Sequence, residues 1–250
     1  MKVSSDPAYR RVADDLRAGI RAGTLSAGTR LPSLAQLGLD YGVSSDVARQ
    51  AVALLRAEGL VETRQGAGAF VRTFAQITRN SPGRLSRAQW GSGKAVQDHD
   101  TGPRWRTVDV VVREAPAPDQ VAEGLGLQAG ASVISRARRF LVDERPVQLA
   151  TSYYPLDIAR GTAITYTDTG PGGAYARLAE LGFAPVRFTE SVAARAPHPE
   201  EALDLALPKS GGGLVFDVTR WAYAADGRCV EVNRMVLDAA AYVLEYHFPA

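Results

Sequence analysis

The fold of the first part of this chain is decided by residues 31–50, LPSLAQLGLDYGVSSDVARQ. Ser33 and Gln36 have the spacing of a capping box and predict that a short helix begins here. Gly42 suits the left-handed conformation in which helices often end, and Ser44 suits the cap of the helix that follows. Two helices joined by so short a turn are typical of a helix-turn-helix, whose second helix enters the major groove of DNA.

The flanking sequence extends this motif on both sides. Apolar residues at helical spacing predict a first helix over residues 7–22, with Asp6 as its N-cap. The helix after the turn is expected to end at Gly59, and residues 60–72 predict a β-hairpin, the wing. The sequence therefore predicts a winged helix-turn-helix domain at residues 1–72.

These residues resemble the DNA-binding domain of the GntR family of bacterial transcription regulators. That family carries an LPS element, a VS-x-x-T-V-R recognition helix and a Q-G-x-G-x-F-V wing, which the chain matches over about residues 7–72. The resemblance implies that DNA is contacted by the helix caps, the start of the recognition helix and the wing. The predicted contact residues are Ser33, Ser44, Ser45, Asp46, Arg49, Arg64, Gln65, Gly66 and Gly68.

Two departures from the family pattern bear on DNA contact. The family usually has Glu-Arg after the LPS element and arginine after VS, where this chain has Leu34, Ala35 and Ser45. Arg49 does match the arginine of the recognition helix, so we expect weaker or altered operator contacts. Taken one by one, the serines and glycines could serve only as caps and turns, but their joint order favours DNA binding.

Charge supports DNA binding modestly. Residues 1–72 hold ten basic and seven acidic side chains. This excess favours contact with phosphates but includes no polybasic arm, so we expect binding to need two subunits and to weaken steeply with salt. Arg17 and Arg21 also fit an ordinary solvated helix surface.

Length and composition limit what else the protein can be. With 250 residues, 46% of them hydrophobic, the chain can hold one small and one medium domain. Cys229 is the single cysteine, and His99, His198 and His247 lie far apart, so we expect no disulfide, metal site or cofactor. The absence of a signal-peptide pattern and of a membrane-spanning apolar run predicts a soluble, cytoplasmic protein with no membrane partner.

The sequence changes character after the wing. Polar, basic and flexible residues at positions 73–103 predict a linker, whose basic side chains either contact DNA or pack on the second domain. Beyond it, strands are predicted at 107–112, 132–141, 147–154, 214–223 and 228–237, and helices at 119–125, 173–181 and 199–207. This order predicts an α+β domain built on an antiparallel sheet at residues 104–250.

Short motifs in residues 104–248 follow the order found in the effector-binding domain of the HutC branch of the same family. They are Arg136-Ala137-Arg138, Arg145-Pro146-Val147, Tyr153-Tyr154-Pro155, Tyr175-x-x-Leu178-x-x-x-Gly182 and Gly227-Arg228-x-Val230-Glu231. The chain thus resembles a UTRA-type domain, whose fold is shared with chorismate lyase. Segments 172–178 and 77–80 look most like plasmid-transfer repressors of that branch. The resemblance implies a homodimer that binds double-stranded DNA and a small-molecule effector.

Arg136 and Arg138 are the first candidates for the effector site. They stand two residues apart on a predicted strand, so their side chains share a face and require an anion or a carboxylate partner. The matching arginines of the family help to bind the effector, which favours an anionic one. The alternative is a structural ion pair, in which one of these arginines meets Glu190 or Glu231 across the sheet.

Backbone donors and an acid complete the predicted effector site. Amides that open the predicted helix at 173–181 can bind a negative group through the helix dipole. Glu231 matches a family acid that orients polar ligand groups, and Tyr175 belongs to the helix segment that carries the resemblance. Beyond the two arginines, the predicted residues are Gly172, Gly173, Ala174, Tyr175 and Glu231.

The sequence therefore predicts a dimeric, ligand-responsive transcriptional regulator, a repressor that an effector releases from a palindromic operator. A chorismate-lyase-like enzyme fused to a DNA-binding domain is one alternative, but the sequence offers no set of nucleophile, base and acid, and no catalytic residue is assigned. A ligand-independent DNA binder is the other alternative. It would leave the two same-face arginines unexplained.

Overall fold

A computed structural model of the chain describes residues 6–64, 66–74, 76–207 and 213–247. The chain divides into two compact units, the first ending at Gln76 and the second beginning at Ile77. Among the described residues, no helix is both long and apolar enough to cross a membrane.

The first unit combines three helices with a two-stranded antiparallel hairpin. Its elements are α1 (Ala8–Arg21), α2 (Leu34–Tyr41), α3 (Ser45–Ala57), β1 (Val61–Arg64) and β2 (Gly68–Val71). The winged helix-turn-helix predicted from the sequence is confirmed. Apolar residues of α1 and α2 pack with Ala48 and Leu55 of α3, both fully buried, and this shared core fixes the angle at which α3 is presented.

The caps of the first unit follow the sequence, with two differences. The hydroxyl oxygens of Ser33 and Ser44 each accept a backbone N–H three residues on, at 3.1 and 3.3 Å, and Gly42 is left-handed (φ +63°). The Gln36 side chain donates to Asp40 at 2.7 Å, so the expected capping box is only half formed. The N-cap of α1 is Pro7 rather than Asp6, because Pro7 itself has extended backbone angles.

A surface residue of α1 also differs from expectation. The Arg17 guanidinium forms two hydrogen bonds to Glu58 at 2.5 and 2.7 Å, which joins α1 to the end of α3. The reading of Arg17 as a merely solvated helix residue was therefore wrong, because a partner 41 positions away cannot be seen in helical spacing.

The second unit is built on a mostly antiparallel set of strands. In the described residues they are β3 (Ile77–Asn80), β4 (Trp105–Pro116), β5 (Ser132–Val142), β6 (Arg145–Pro155), β7 (Arg187–Arg195), β8 (Val215–Tyr223), β9 (Cys229–Asp238) and β10 (Tyr242–Glu245). Six of them form one antiparallel sheet in the order β4-β5-β6-β9-β8-β7, and β3 pairs with β10 in parallel. The predicted α+β domain on an antiparallel sheet is confirmed. The strands β3, β7 and β10 were not predicted from the sequence; in the edge strand β7, residues 191–194 are exposed on both faces.

Short helices connect and cover these strands. They are α4 (Ser81–Arg84), α5 (Arg87–Trp90), α6 (Asp98–Thr101), α7 (Asp119–Leu125), α8 (Leu156–Ala159), α9 (Gly173–Glu180) and α10 (Pro199–Asp204). The three helices that the sequence predicts for this second unit correspond to α7, α9 and α10. A core that contains Tyr154, Ile164 and Leu178, all fully buried, holds α9 against the sheet.

The segment predicted as a linker, residues 73–103, is folded into the second unit from Ile77 onward. Leu85 and Trp90 lie in the main core of that unit, and the Trp90 indole donates to the Leu85 carbonyl at 3.1 Å. The basic residues Arg79 and Arg84 are buried there. Isolated apolar residues between polar ones did not predict this, because their partners come from α9 and the sheet.

Candidate DNA-contacting surface and effector cavity

The start of α3 presents the predicted recognition residues to solvent. Ser45, Asp46 and Arg49 are all exposed, and the Arg49 guanidinium pairs with the Asp46 carboxylate one helical turn away. The exposed helix start offers unpaired N–H groups and the positive end of the helix dipole. Only Nη1 of the Arg49 guanidinium takes part in this exposed pair.

Arg64 is held in place by residues of the two strands of the wing. The Arg64 guanidinium contacts Glu62 at 2.8 Å and lies 4.4 Å from the centre of the Phe70 ring. Gly66 and Gly68 have positive φ (+73° and +104°), which favours glycine at both positions. The predicted contact residue Gln65 lies outside the described residues.

A cavity of about 430 Å³ lies in the second unit. Its walls come from the inner face of the sheet, the start of α9 and residues 167–170. Six of the seven predicted effector residues line it: Arg136, Arg138, Gly173, Ala174, Tyr175 and Glu231. The fold thus brings together residues that are up to 95 positions apart in the sequence.

The backbone donors predicted for this site are mostly engaged elsewhere. Gly172 does not line the cavity, and its amide donates to the Gly93 carbonyl at 2.9 Å. The Gly173 amide donates to the Gly170 carbonyl at 3.1 Å. Of the three predicted amides, only that of Ala174 has no acceptor in the described part of the chain, so the amides of Gly172 and Gly173 are already used within the fold and the effector site stays a prediction.

The two predicted arginines line the cavity together, as two residues on one strand face should. Arg136 donates to the carbonyl oxygens of Tyr166 and Thr167 at 2.5 and 2.8 Å. Arg138 donates to the Ser152 hydroxyl at 3.0 Å and to the Arg136 carbonyl at 3.1 Å. Burial, and then the charge of Arg138, lower the pKa of Arg136.

Neither arginine forms the ion pair that was the alternative prediction. Among the described residues, no ion pair joins Arg136 or Arg138 to a carboxylate. Glu190 instead contacts Arg79, and Glu231 accepts hydrogen bonds from two tyrosines. Buried Arg136 and half-buried Arg138 therefore face the cavity with no carboxylate of the described residues at ion-pair distance, and Asp168 of the cavity wall is the acid whose charge acts on Arg136.

Glu231 is fixed by a small buried network. Its two oxygens accept the hydroxyls of Tyr154 at 2.9 Å and Tyr175 at 2.7 Å, and its side chain is 2% exposed. Burial, together with the neighbouring Glu231 charge, raises the pKa of Tyr154. Both tyrosines therefore remain hydrogen-bond donors, and the free lone pairs of Glu231 can accept one more donor from a ligand.

The polar cavity residues that the sequence did not predict include Arg84, Arg220 and Asn233. Arg220 is 3% exposed, and its guanidinium lies 3.7 Å from Glu190 and 3.9 Å from Glu231. The missed signal was the phase of β8, because Arg220 alternates with the buried residues Val218 and Ala222 and so occupies an inward position.

Comparison with known proteins matches both units. A family model described as bacterial regulatory proteins, gntR family, matches residues 8–71, and a UTRA domain model matches residues 101–243. An HTH-type transcriptional regulator of Streptomyces coelicolor is 32% identical over 97% of this chain and 93% of its own length. One of Mycobacterium tuberculosis is 30% identical over 91% of this chain and 81% of its own length.

Solved structures match over nearly the whole chain. A crystal structure of a GntR-family transcriptional regulator is 31% identical, with a TM-score of 0.63 and coverage of 98% of both chains. PhnF from Mycobacterium smegmatis has a TM-score of 0.59 at 21% identity, covering 96% of this chain and 99% of its own, which supports the fold alone.

Proposed function

The chain belongs to the GntR family of bacterial transcription regulators and carries a UTRA domain, and from this premise we propose that it is a repressor released from DNA by a small-molecule effector. The cavity carries the proposal. It gathers unpaired arginines, an acid and tyrosine hydroxyls around a volume of about 430 Å³, which suits a small metabolite.

On the DNA side, we infer that α3 enters the major groove and that the wing contacts the neighbouring backbone and minor groove. The exposed start of α3 and the wing arginine Arg64 support this assignment. One such unit offers few phosphate contacts, so binding by a homodimer to two related half-sites is expected to supply the affinity. The operator is therefore proposed to be an imperfect palindrome.

A chain of contacts supports coupling between the cavity and the start of the second unit. Arg220 lines the cavity and lies 3.7 Å from Glu190, which in turn holds Arg79 through contacts of 2.6 and 3.0 Å. Arg79 belongs to β3, the first element after Gln76. When a negative ligand group binds Arg220, it offsets part of the positive charge near Glu190. Because Glu190 also holds Arg79, the stability of β3 can differ between the free and the ligand-bound protein.

The double variant Arg136→Met, Arg138→Met tests the effector part of the proposal. Methionine keeps apolar length and removes both guanidinium groups. The variant is expected to bind the DNA upstream of its own gene like the wild type, and to resist release by a small-molecule cell extract that frees the wild type. Arg234→Met is the matched control, because Arg234 is exposed on the same sheet.

Gel shifts measure binding and release in the same experiment. A double variant that is released like the wild type contradicts the proposed effector site, and one that is unfolded by circular dichroism assigns the arginines to structure instead. Footprinting of the same DNA tests the dimer, since protection of one asymmetric site would contradict a palindromic operator.

A further inference from the structure

A row of buried polar residues crosses the middle of the sheet under the cavity. The strand register places Arg136 of β5, Ser152 of β6, Asn233 of β9 and Arg220 of β8 side by side. Each is at most 6% exposed. Since neighbouring strands lie about 4.8 Å apart, the backbones of Arg136 and Arg220 are separated by about 14 Å. The cavity floor is therefore polar along its whole width.

The first cationic end of this row consists of Arg136 and Arg138. Their hydrogen bonds go to carbonyl oxygens and one hydroxyl, which orient the guanidinium groups without neutralising them. A buried positive charge without a negative partner is costly, so this end favours an anionic group in the cavity.

The second cationic end consists of Arg84 and Arg220. Arg220 forms only long ion pairs, 3.7 Å to Glu190 and 3.9 Å to Glu231, too far for hydrogen bonds, and within the described part of the chain its buried Nε has no hydrogen-bond partner. Arg84 is 2% exposed and forms an ion pair with Asp100 at 2.9 Å, but its Nη1 has no hydrogen-bond partner among the described residues. This end also holds unused donors at the cavity wall.

Between the two ends lies an unused acceptor. The Oδ1 atom of Asn233 is buried and accepts no hydrogen bond from the described residues. Leaving a buried oxygen without a donor is unfavourable, so a ligand that carries a donor at this point gains affinity. Trp105, Phe140 and Met235 provide apolar surface beside it.

We propose that the effector is a small dianion with one negative group at each end and a hydroxyl or amine donor between them. This inference deepens the proposed function by naming the ligand class of the same cavity. A monoanion at the first end would leave two unused donors of the second end, Arg84 Nη1 and Arg220 Nε, without an acceptor. The negative groups can be carboxylates or phosphates, since both accept the guanidinium fork in the same way.

Calorimetric titration of the full chain tests the proposal with defined probes. The linear dicarboxylates from succinate to suberate are compared with monocarboxylates of equal length. Because the second contact becomes intramolecular, one dicarboxylate length is expected to bind at least about tenfold tighter than its monocarboxylate. Phosphonocarboxylates of that length show whether either end prefers a phosphate-like group.

Two further comparisons test the ends and the middle. Arg138→Met and Arg220→Met are each expected to reduce binding of the best dianion to the level of the monoanion, while the exposed control Arg234→Met leaves it unchanged. If Arg220→Met does not fold, Arg220→Lys keeps the charge and removes the Nε donor.

3-Hydroxyglutarate is expected to bind tighter than glutarate, and Asn233→Leu is expected to remove that preference.

The outcomes separate this proposal from the proposed function. Equal binding of mono- and dianions, the absence of any dianion binding, or full binding by Arg220→Met overturns the two-ended ligand. If Arg138→Met weakens anion binding and Arg220→Met does not, the effector cavity stands but the dianion is contradicted. A dianion that binds as expected but never releases the DNA contradicts the proposed function and not the ligand class.

Discussion

The two units of this protein use arginine in opposite ways. In the first unit, Arg49 and Arg64 are exposed and pair with acids two or three positions away in the sequence. In the second unit, Arg79 and Arg220 are buried, and Arg79 pairs with Glu190, which is 111 positions away. An exposed local pair costs little to break, so such an arginine can be given up to a phosphate.

The buried arginines of the second unit have a different consequence. Because their charges are removed from water, each one needs a partner within the fold or within the cavity. The first unit thus holds Arg49 and Arg64 in exposed local pairs, and the second unit holds Arg79 and Arg220 fixed inside the fold.

The largest effect is expected at Glu190. Glu190→Gln leaves Arg79 buried without a negative partner and should lower the free energy of unfolding of the second unit by about 3–5 kcal/mol. Urea unfolding followed by tryptophan fluorescence measures this unit alone, because Trp90, Trp105 and Trp221 all lie in it. The matched change Glu62→Gln, which frees exposed Arg64, should cost less than about 1 kcal/mol by circular dichroism. Equal losses of stability in the two variants would contradict the difference between buried and exposed arginine pairs.

A pH dependence follows from the same residue. Burial opposes ionisation of Glu190, but hydrogen bonds and charge from Arg79, with the charge of Arg220, lower its pKa from 4.5 to about 2. A lowered pKa stabilises the fold above the unfolded value, and this stability, about 3 kcal/mol, is lost as the pH falls from about 5 to 2. Urea midpoints of the second unit should show this loss in the wild type. Glu190→Gln should show it less, and identical pH profiles would contradict the assignment.

A smaller effect is expected for Arg49 in the first unit. Because Ala35 and Ser45 lack guanidinium groups, Arg49→Ala should weaken operator affinity by about 1–3 kcal/mol. Gel shifts at fixed salt measure it, with Arg21→Ala on the exposed end of α1 as the control. Unchanged affinity in a folded Arg49→Ala protein would show that α3 is not the reading helix.

The smallest effect is expected at Asp46, where substitution should strengthen operator binding rather than weaken it. Asp46→Asn removes the acid that pairs with Arg49 in the free protein. Operator binding should become tighter by less than about 1 kcal/mol, since the pair is exposed and no longer has to be broken. Titrations at two salt concentrations measure the gain, which should shrink at high salt. Weaker binding would contradict this expectation and would support the direct DNA contact of Asp46 predicted from the sequence.

Local patterns predicted the first unit almost completely. The caps at Ser33 and Ser44 and the left-handed Gly42 act over three or four residues, so the sequence alone contains their partners. In the second unit, alternation predicted the central strands and the shared face of Arg136 and Arg138. It did not predict β7, whose exposed residues show no apolar phase.

The sequence by itself determined the family, the central strands and which side chains share a strand face, because these depend on neighbours along the chain. Only the tertiary structure decided which charges meet. The pairing of Arg79 with Glu190, the position of Arg220 beside Asn233, and the use of the Gly172 and Gly173 amides within the fold all depend on strand register and on contacts between distant segments. Because these groups are buried, water does not solvate their charges or their unused hydrogen-bonding atoms at the cavity wall.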